Sequence, residues 1–260
     1  MKILMLGDIV GRPGRREVAT RVQALRRELG VDLVIANGEN ASGGIGISAK
    51  SAKSLLNAGV DVLTSGNHVW KFRDLHSFMG RESRFVRPYN YPEGTPGKGL
   101  TVIRPEGLEP VAVLNLQGRT FMHPIDCPFK AADRALAELP EDVRIVVCDF
   151  HAEATGEKQA LAWYLDGRVS VLVGTHTHVQ TADARVLPGG SGYMTDLGFC
   201  GAWNSCLGMD PEPVVSRFVT GIPSRFVPAK GPVILQGAVF DIDDSTGRTC
   251  EVSLWRKETW

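Results

Sequence analysis

The chain has 260 residues, and 29 Lys and Arg are balanced by 29 Asp and Glu. This length can bury a substantial core, and the charge balance excludes a general attraction to nucleic acid or to an acidic membrane surface. Any binding of a polyanion must therefore be local. The five cysteines are an odd number with no C-x-x-C pair, which favours a reduced, cytoplasmic protein.

The N-terminus begins with an apolar run that ends too early for a signal peptide. Acidic Asp8 and an arginine-rich segment at 12–16 follow it almost at once. No run in the sequence approaches the eighteen apolar residues of a membrane span. We therefore expect an unprocessed protein without membrane segments.

The N-terminal part predicts alternating strands and helices. Continuous apolar runs indicate buried strands, while apolar residues at helical spacing and the potential N-cap Ser48 indicate helices. Gly11, Pro13 and Gly14 are interpreted as a loop before the first helix. Such a β-α-β-α-β order predicts a parallel sheet with right-handed crossovers. The predicted elements are strands at 2–7, 32–36 and 60–64 and helices at 15–29 and 48–57.

The rest of the chain is predicted to be richer in β-hairpins than the N-terminal part. Pro124 and Pro128 are expected to keep 120–129 irregular, and 87–99 is expected to be a surface loop. The predicted strands are 100–104, 111–116, 143–148, 169–173, 184–187, 193–196, 233–241 and 248–255, and the helices are 130–139, 157–165 and 213–220. A parallel first half and a hairpin-rich second half predict an α/β fold. Its architecture is a four-layer α/β/β/α sandwich of two mixed sheets, in one domain over residues 1–260.

Five of the predicted apolar strands lead into residues that can bind a metal ion. The strand ending at residue 173 leads to His176 and His178, whose side chains share one side if the backbone stays extended. Singly, such residues cap helices, occupy turns or pack in a core, but their recurrence at five strand ends predicts a metal site. The candidate ligands are Asp8, Glu39, Asn40, Asn67, His151, His176 and His178.

Seven candidate ligands are more than one ion takes while leaving room for a substrate. They suit two ions about 3.5–4 Å apart, with Glu39 as the bridging carboxylate. Carboxylate, amide and imidazole ligands without thiolate favour Mn, Fe or Zn over Mg or Cu(I).

Three other motifs are excluded as functional sites. The glycines at 7, 11 and 14 do not have the spacing of a dinucleotide-binding site, and 44–51 is an incomplete P-loop. The H-x-E motif of a zinc deaminase, at 151–153, has no P-C-x-x-C motif downstream.

The candidate ligands and the residues beside them, in their order along the chain, resemble the calcineurin-like metallophosphoesterases. The segments 7–11 (Gly-Asp-Ile-Val-Gly), 37–40 (Asn-Gly-Glu-Asn) and 149–155 (Asp-Phe-His-Ala-Glu-Ala-Thr) are most similar to the bacterial YmdB-like family of cyclic-nucleotide phosphodiesterases. The resemblance implies a metallophosphoesterase fold and two metal ions, Fe or Mn before Zn or Mg. It also implies that a hydroxide bridging the ions hydrolyses 2′,3′-cyclic nucleotides and, more weakly, other phosphodiesters.

The resemblance and the spacing together divide the ligands between the two ions. One ion takes Asp8, Glu39, Asn40 and His178, and the other takes Glu39, Asn67, His151 and His176. Val10 replaces the histidine of the superfamily's first motif, D-x-H, and Asn40 would fill that vacancy. His68, next to Asn67, would be the general acid; the alternatives are a supporting residue or a phosphate-binding donor. Val69 stands where an acid often orients this histidine.

Several other histidine and aromatic residues have no assigned role in the site. His76 lies in a predicted helix and is expected to be structural, while a pocket position for His123 is left open. Trp70, Phe72 and Phe121 are candidates for stacking a base, although core packing is expected for at least two of them.

The predicted partner is a small nucleotide phosphodiester, without a membrane or an extended nucleic-acid groove, and a homo-oligomer is possible. Alternative functions on the same site are a phosphomonoesterase or protein phosphatase and a metal-bound regulator that binds RNA or a nucleotide with little turnover. The neutral charge disfavours a nuclease.

Overall fold

Two β-sheets pack face to face with helices on both outer surfaces in the computed structural model, which describes residues 1–259. The first sheet has the order β2-β11-β12-β1-β3-β4, with β13 paired to β12. Its strands are β1 Lys2–Leu6, β2 Asp8–Ile9, β3 Leu33–Asn37, β4 Val62–Thr64, β11 Phe199–Ala202, β12 Val233–Ile242 and β13 Thr249–Glu258.

The second sheet has the order β5-β6-β7-β8-β10-β9. Its strands are β5 Leu100–Ile103, β6 Val111–Gln117, β7 Ile145–His151, β8 Val171–Thr175, β9 Arg185–Val186 and β10 Gly192–Met194. The helices are α1 Gly11–Leu29, α2 Ala49–Ala58, α3 Arg73–Met79, α4 Pro128–Ala137, α5 Thr155–Leu165 and α6 Pro211–Thr220.

Alternation of side chains along the strands produces the layers. In β1, Ile3 and Met5 point into the core between the sheets, whereas Leu4 and Leu6 point into the core shared with the helices. The second sheet does the same, with Val113 between the sheets and Leu114 against its own helices. Because both faces of each sheet are buried, these strands are continuously apolar. The predicted α/β/β/α sandwich of two mixed sheets is confirmed.

Prolines near helix starts were the main source of error in the predicted elements. The first helix begins at Gly11, so the predicted loop at 11–14 is wrong. Pro13 lies in the first turn, where a missing N–H costs no helical hydrogen bond. Pro128 likewise begins α4 and does not block it. The short strand β11 was not predicted because its four residues, Phe-Cys-Gly-Ala, carry no clear period.

The expectation of a hairpin-rich second half is right only in part, because β6, β7 and β8 pair parallel to one another. Strands β5 and β6 pair antiparallel, and β12 and β13 form the terminal antiparallel pair. Residues 87–99 contain no helix or strand, apart from an isolated bridge between Val86 and Lys98. No helix in the described part of the chain is both long and apolar enough to cross a membrane.

The parallel strands of the two sheets end at a common edge. Strands β1, β3 and β4 run parallel in the first sheet, and β6, β7 and β8 run parallel in the second. A hydrogen bond of 3.0 Å from Asn37 Nδ2 to Asp149 Oδ2 joins the carboxyl ends of β3 and β7. Side chains that follow these strands therefore meet across the interface between the sheets.

Candidate metal centre

Asp8 is fully buried at the start of β2, directly after β1. Its Oδ2 accepts the backbone N–H of His176 at 3.1 Å. Its Oδ1 lies 3.6 Å from His178 Nε2 and 3.9 Å from His151 Nδ1. This aspartate from the first sheet therefore faces histidines from the second.

Glu39 is also fully buried, in the turn after β3. Its Oε2 accepts the backbone N–H of His68 at 3.1 Å. Its Oε1 lies 2.8 Å from His68 Nδ1 and 3.2 Å from His151 Nε2, although neither contact has hydrogen-bond geometry. The carboxylate lies between side chains from both sheets, as a bridging group requires.

The two candidate amide ligands contact different histidines of the cluster. Asn40 Nδ2 is 3.1 Å from His178 Nε2, and Asn40 Oδ1 is 3.1 Å from His68 Nδ1. Asn67 Oδ1 is 3.0 Å from His151 Nε2. Asn40 therefore lies beside His178 and Asn67 beside His151, as the predicted division of the ligands between two ions requires.

His151 is the most central of the histidines. Its Nε2 lies 3.0 Å from His176 Nδ1, and its Nδ1 lies 2.9 Å from the hydroxyl of Thr175. Ligand atoms of Glu39, His151 and His176 all fall within 4.8 Å of one another. The structure therefore brings all seven predicted side chains into one cluster, with three of them at metal-ligand spacing.

The expectation of an extended backbone through His176 and His178 is wrong. Strand β8 ends at Thr175, and both histidines have left-handed backbones, with φ of 99° and 60°. The chain turns here, so the imidazoles separate. His178 joins Asp8 and Asn40, whereas His176 joins His151 and lies 3.1 Å from the carboxylate of Glu153.

The electrostatics of the cluster favour ionised carboxylates. Burial works against charge on Glu39, but His151 and His68 outweigh it and hold the Glu39 pKa well below its usual value. Burial also opposes charge on His151, but Glu39 and Asp8 raise the pKa of His151 to about 9. Burial and the neighbouring His151 lower the pKa of His176 to about 3. In the described chain, the ion-pair partners of Asp8 and Glu39 are all histidines.

This donor set fits divalent or trivalent cations. Asp8 Oδ1 and Glu39 Oε1 are both buried and have no hydrogen-bond partner within residues 1–259. A buried carboxylate oxygen without a partner is costly unless a cation or a donor compensates it. Imidazole nitrogens and amide oxygens around it complete a typical ligand set. The residues present can therefore hold metal.

Gly66 leaves the space that the centre occupies. A Cβ at this position would lie 2.2 Å from His151 Cδ2 and 2.3 Å from Glu39 Oε2. Only glycine permits the strand end of β4 to approach these two side chains so closely.

We predict that Gly66→Ala disrupts metal binding while the chain still folds. Displacing the Glu39 and His151 side chains by about 1 Å is expected to take them out of coordinating distance, since metal–ligand distances vary by only about 0.2 Å. Elemental analysis of the purified variant should show lost metal. Gly156→Ala is the matched control, because a Cβ there meets nothing within 4 Å. Full metal content in Gly66→Ala would contradict the prediction.

A buried chain of hydrogen bonds orients His151, and the sequence analysis did not predict it. Asp149 Oδ1 accepts from the hydroxyl of Thr175 at 2.8 Å, and that hydroxyl meets His151 Nδ1. Thr64 and Asn37 donate to Asp149 Oδ2. Burial raises the Asp149 pKa to about 6. A carboxylate inside an apolar strand needs such partners, and Asp149 in the run at 143–150 was the available signal.

A buried ion pair fixes the turn at residues 176–178, and the sequence analysis did not predict this pair. Lys158 Nζ lies 2.7 Å from Asp196 Oδ2, and both side chains are fully buried. The same Oδ2 accepts the N–H and the hydroxyl of Thr177 at 3.1 and 2.8 Å. Thr177 separates His176 from His178, so this pair fixes the backbone between two candidate ligands. Lys158 gave no signal in the sequence because it occupies an ordinary helical position.

Removing the lysine of this pair is expected to destabilise the fold strongly. Lys158→Met leaves the Asp196 carboxylate buried without its cation, which costs about 3–5 kcal/mol. Chemical denaturation measures the free energy of unfolding. Lys257→Met is the control, since Lys257 and Glu28 form an exposed pair that solvent screens, so its loss should change the free energy of unfolding little. Equal effects of the two substitutions would overturn this account of the pair.

The other sequence-predicted residues divide between core and rim. Trp70 and Phe72 pack against the core of the first sheet, and Trp70 meets His76 edge-on at 5.5 Å. Phe121 and His123 are exposed and line a cavity of about 370 Å³ beside the cluster, together with Asn67, Met122 and His176. The core role expected for at least two of the three aromatic residues is therefore confirmed.

Comparison with known proteins identifies relatives over nearly the whole chain. The family model described as YmdB-like protein matches residues 4–254. A 2′,3′-cyclic-nucleotide 2′-phosphodiesterase of Bacillus subtilis is 48% identical, over 97% of this chain and 95% of the relative. A putative phosphatase/phosphodiesterase of Mycoplasma pneumoniae is 34% identical, over 98% of this chain and 92% of the relative.

Two solved structures share the fold closely. A hypothetical protein from Thermus thermophilus superposes with a TM-score of 0.93 at 42% identity, covering 99% of both chains. A structure from Mycoplasma pneumoniae described as a novel phosphatase gives a TM-score of 0.92 at 33% identity, covering 99% of this chain and 93% of that one. With the family model and the 48% identical relative extending over nearly the whole sequence, this chain belongs to the YmdB-like protein family.

Proposed function

We propose that this protein is a metal-dependent phosphodiesterase that hydrolyses 2′,3′-cyclic nucleotides. The observation that carries the proposal is the cluster in which two buried carboxylates, each with an unpartnered oxygen, face three histidines and two asparagines. The Bacillus subtilis relative is named for this substrate class. Because both sheets contribute to the cluster, the proposal treats residues 1–260 as one domain.

The proposed centre holds two ions, Fe or Mn. Glu39 is the shared ligand, supported by its contacts with His68 on one side and His151 on the other. One ion would be held with Asp8, Asn40 and His178, and the other with Asn67, His151 and His176. The mutual distances within each group support this division.

Such ions would supply an activated water and would neutralise charge on the phosphoryl oxygens. Addition of water at phosphorus with breakage of the P–O2′ ester bond, the bond for which the Bacillus subtilis relative is named, would yield a 3′-phosphate and a free 2′-hydroxyl. The departing O2′ needs a proton, and in this proposal His68 donates it. Glu39 Oε1 lies 2.8 Å from His68 Nδ1, so this nitrogen faces the cluster. The side chain is 35% exposed, so its other nitrogen can reach a substrate.

The proposed enzyme is cytoplasmic and acts on a small substrate. Its five cysteines are all unpaired in the structure, as a reducing compartment favours. The charge balance gives no support for binding of long nucleic acids.

The test of the proposed function is a substrate panel with Mn²⁺-loaded protein. We expect turnover of 2′,3′-cyclic AMP to the 3′-monophosphate, and faster turnover of bis-p-nitrophenyl phosphate than of p-nitrophenyl phosphate. Faster hydrolysis of the monoester would instead favour a phosphatase, which the name of the Mycoplasma pneumoniae relative also includes. Binding of cyclic nucleotide without turnover would favour a regulatory protein. Either result would overturn the proposal.

A further inference from the structure

Phe121 is an exposed aromatic residue at the rim of the candidate metal centre. Its side chain is 89% exposed, the highest value among the large exposed hydrophobic residues of the described chain. Trp70 and Phe72, which follow His68 in the sequence, are half-buried and pack against the core of the first sheet. Phe121 therefore has a ring free to contact a ligand.

The cavity beside Phe121 opens onto the cluster. Asn67 and His176, two of the candidate ligands, line it together with Phe121, Met122 and His123. Its volume of about 370 Å³ is at the small end of the range for pockets that take small molecules. A phosphoester held at the metal centre would thus place the rest of its substituent against the segment 121–123.

The chain holds this segment in a fixed relation to the centre. The N–H of Gly118 donates to the carbonyl of His151 at 3.0 Å, which ties the start of the loop to a candidate ligand. The carboxylate of Glu157 accepts the N–H groups of Arg119 and Thr120 at 3.0 and 3.1 Å.

Phe121 itself has an unfavourable backbone. Its φ is 62°, the left-handed region that a bulky side chain rarely adopts. Such a conformation persists where the surrounding structure fixes it, and it is commonest at ligand-binding sites. A loop that is fastened at its base and strained at its tip presents Phe121 at the rim of the centre.

We infer that Phe121 stacks on the nucleobase of the substrate. This inference rests on the proposed function, because it needs a nucleotide phosphoester at the metal centre. Every base has a π-face, so an aromatic platform binds all four bases with modest discrimination. The larger stacking area of purines should lower KM for them relative to pyrimidines.

Stacking on one aromatic ring changes binding about 10- to 100-fold on removal of the ring. Phe121→Ala is expected to lower kcat/KM for 2′,3′-cyclic AMP by this amount, mainly through KM. Hydrolysis of methyl β-ribofuranoside 2,3-cyclic phosphate, which has the ribose and the cyclic ester but no base, should not change. Phe121→Trp should retain activity on the nucleotide, and Phe121→Leu should resemble the alanine variant.

Phe218→Ala is the matched control, since Phe218 is 84% exposed on α6 and does not line the cavity. It should leave both substrates unaffected. If Phe121→Ala hydrolyses the nucleotide with unchanged KM, or loses both substrates equally, the stacking role is wrong. If the unsubstituted protein hydrolyses neither cyclic ester, the proposed function itself fails, which is a separate result.

Discussion

Replacing Glu39 by glutamine is expected to lower phosphodiesterase turnover by about 10³-fold, because it removes the carboxylate that is proposed to bridge two cations. The substitution keeps the size of the side chain and its hydrogen bond from the N–H of His68. It removes the charge that faces His68 and His151. Elemental analysis should show reduced metal alongside the lost activity.

A stable fold distinguishes this loss from simple unfolding. The thermal transition measured without added metal should be preserved in Glu39→Gln, since an uncompensated buried carboxylate has been removed. Glu17→Gln serves as the control, because Glu17 pairs with Arg21 on the surface of α1. Retention of two ions and of normal turnover in Glu39→Gln would contradict the bridging role.

Replacing His68 by alanine is expected to lower turnover of 2′,3′-cyclic AMP by about 10²–10⁴-fold, the usual contribution of a general acid. The ribose 2′-oxygen leaves poorly without a proton, whereas p-nitrophenolate leaves readily as an anion. The loss on bis-p-nitrophenyl phosphate should therefore be much smaller. Metal content should stay unchanged, because His68 is outside the proposed ligand set.

The ratio of the two losses separates the possible roles of His68. A phosphate-binding donor would contribute to both substrates, so its removal would slow both equally. A supporting residue for Glu39, which its Nδ1 contacts at 2.8 Å, would lower metal content as well. Equal losses, or lost metal, would each contradict general acid catalysis.

The sequence predicted the fold because its strands are buried on both faces. Apolar runs such as residues 2–7 and 143–148 have little alternative to the interior of a layered sheet. Polar residues directly after those runs then have to lie at the carboxyl edge, which is why the seven candidate ligands could be grouped. The structure brings them together, and their role as ligands remains a prediction.

Features that depend on contacts between distant segments could not be predicted. Lys158 and Asp196 are 38 residues apart and meet in the interior, where neither has a sequence pattern. The left-handed backbones of His176 and His178 depend on that pair and on the carbonyl of Leu207, which lies 3.0 Å from His178 Nδ1. Likewise, only the packed structure shows that Trp70 packs against the core while Phe121 is exposed.

The central claim is that segments from both sheets bind two neighbouring cations. Anomalous X-ray diffraction from crystals grown with Mn²⁺ tests it directly. We predict two peaks about 3.5–4 Å apart on either side of Glu39, one beside Asp8 and His178 and the other beside His151 and His176. No peak, or a single peak remote from Glu39, would contradict the account.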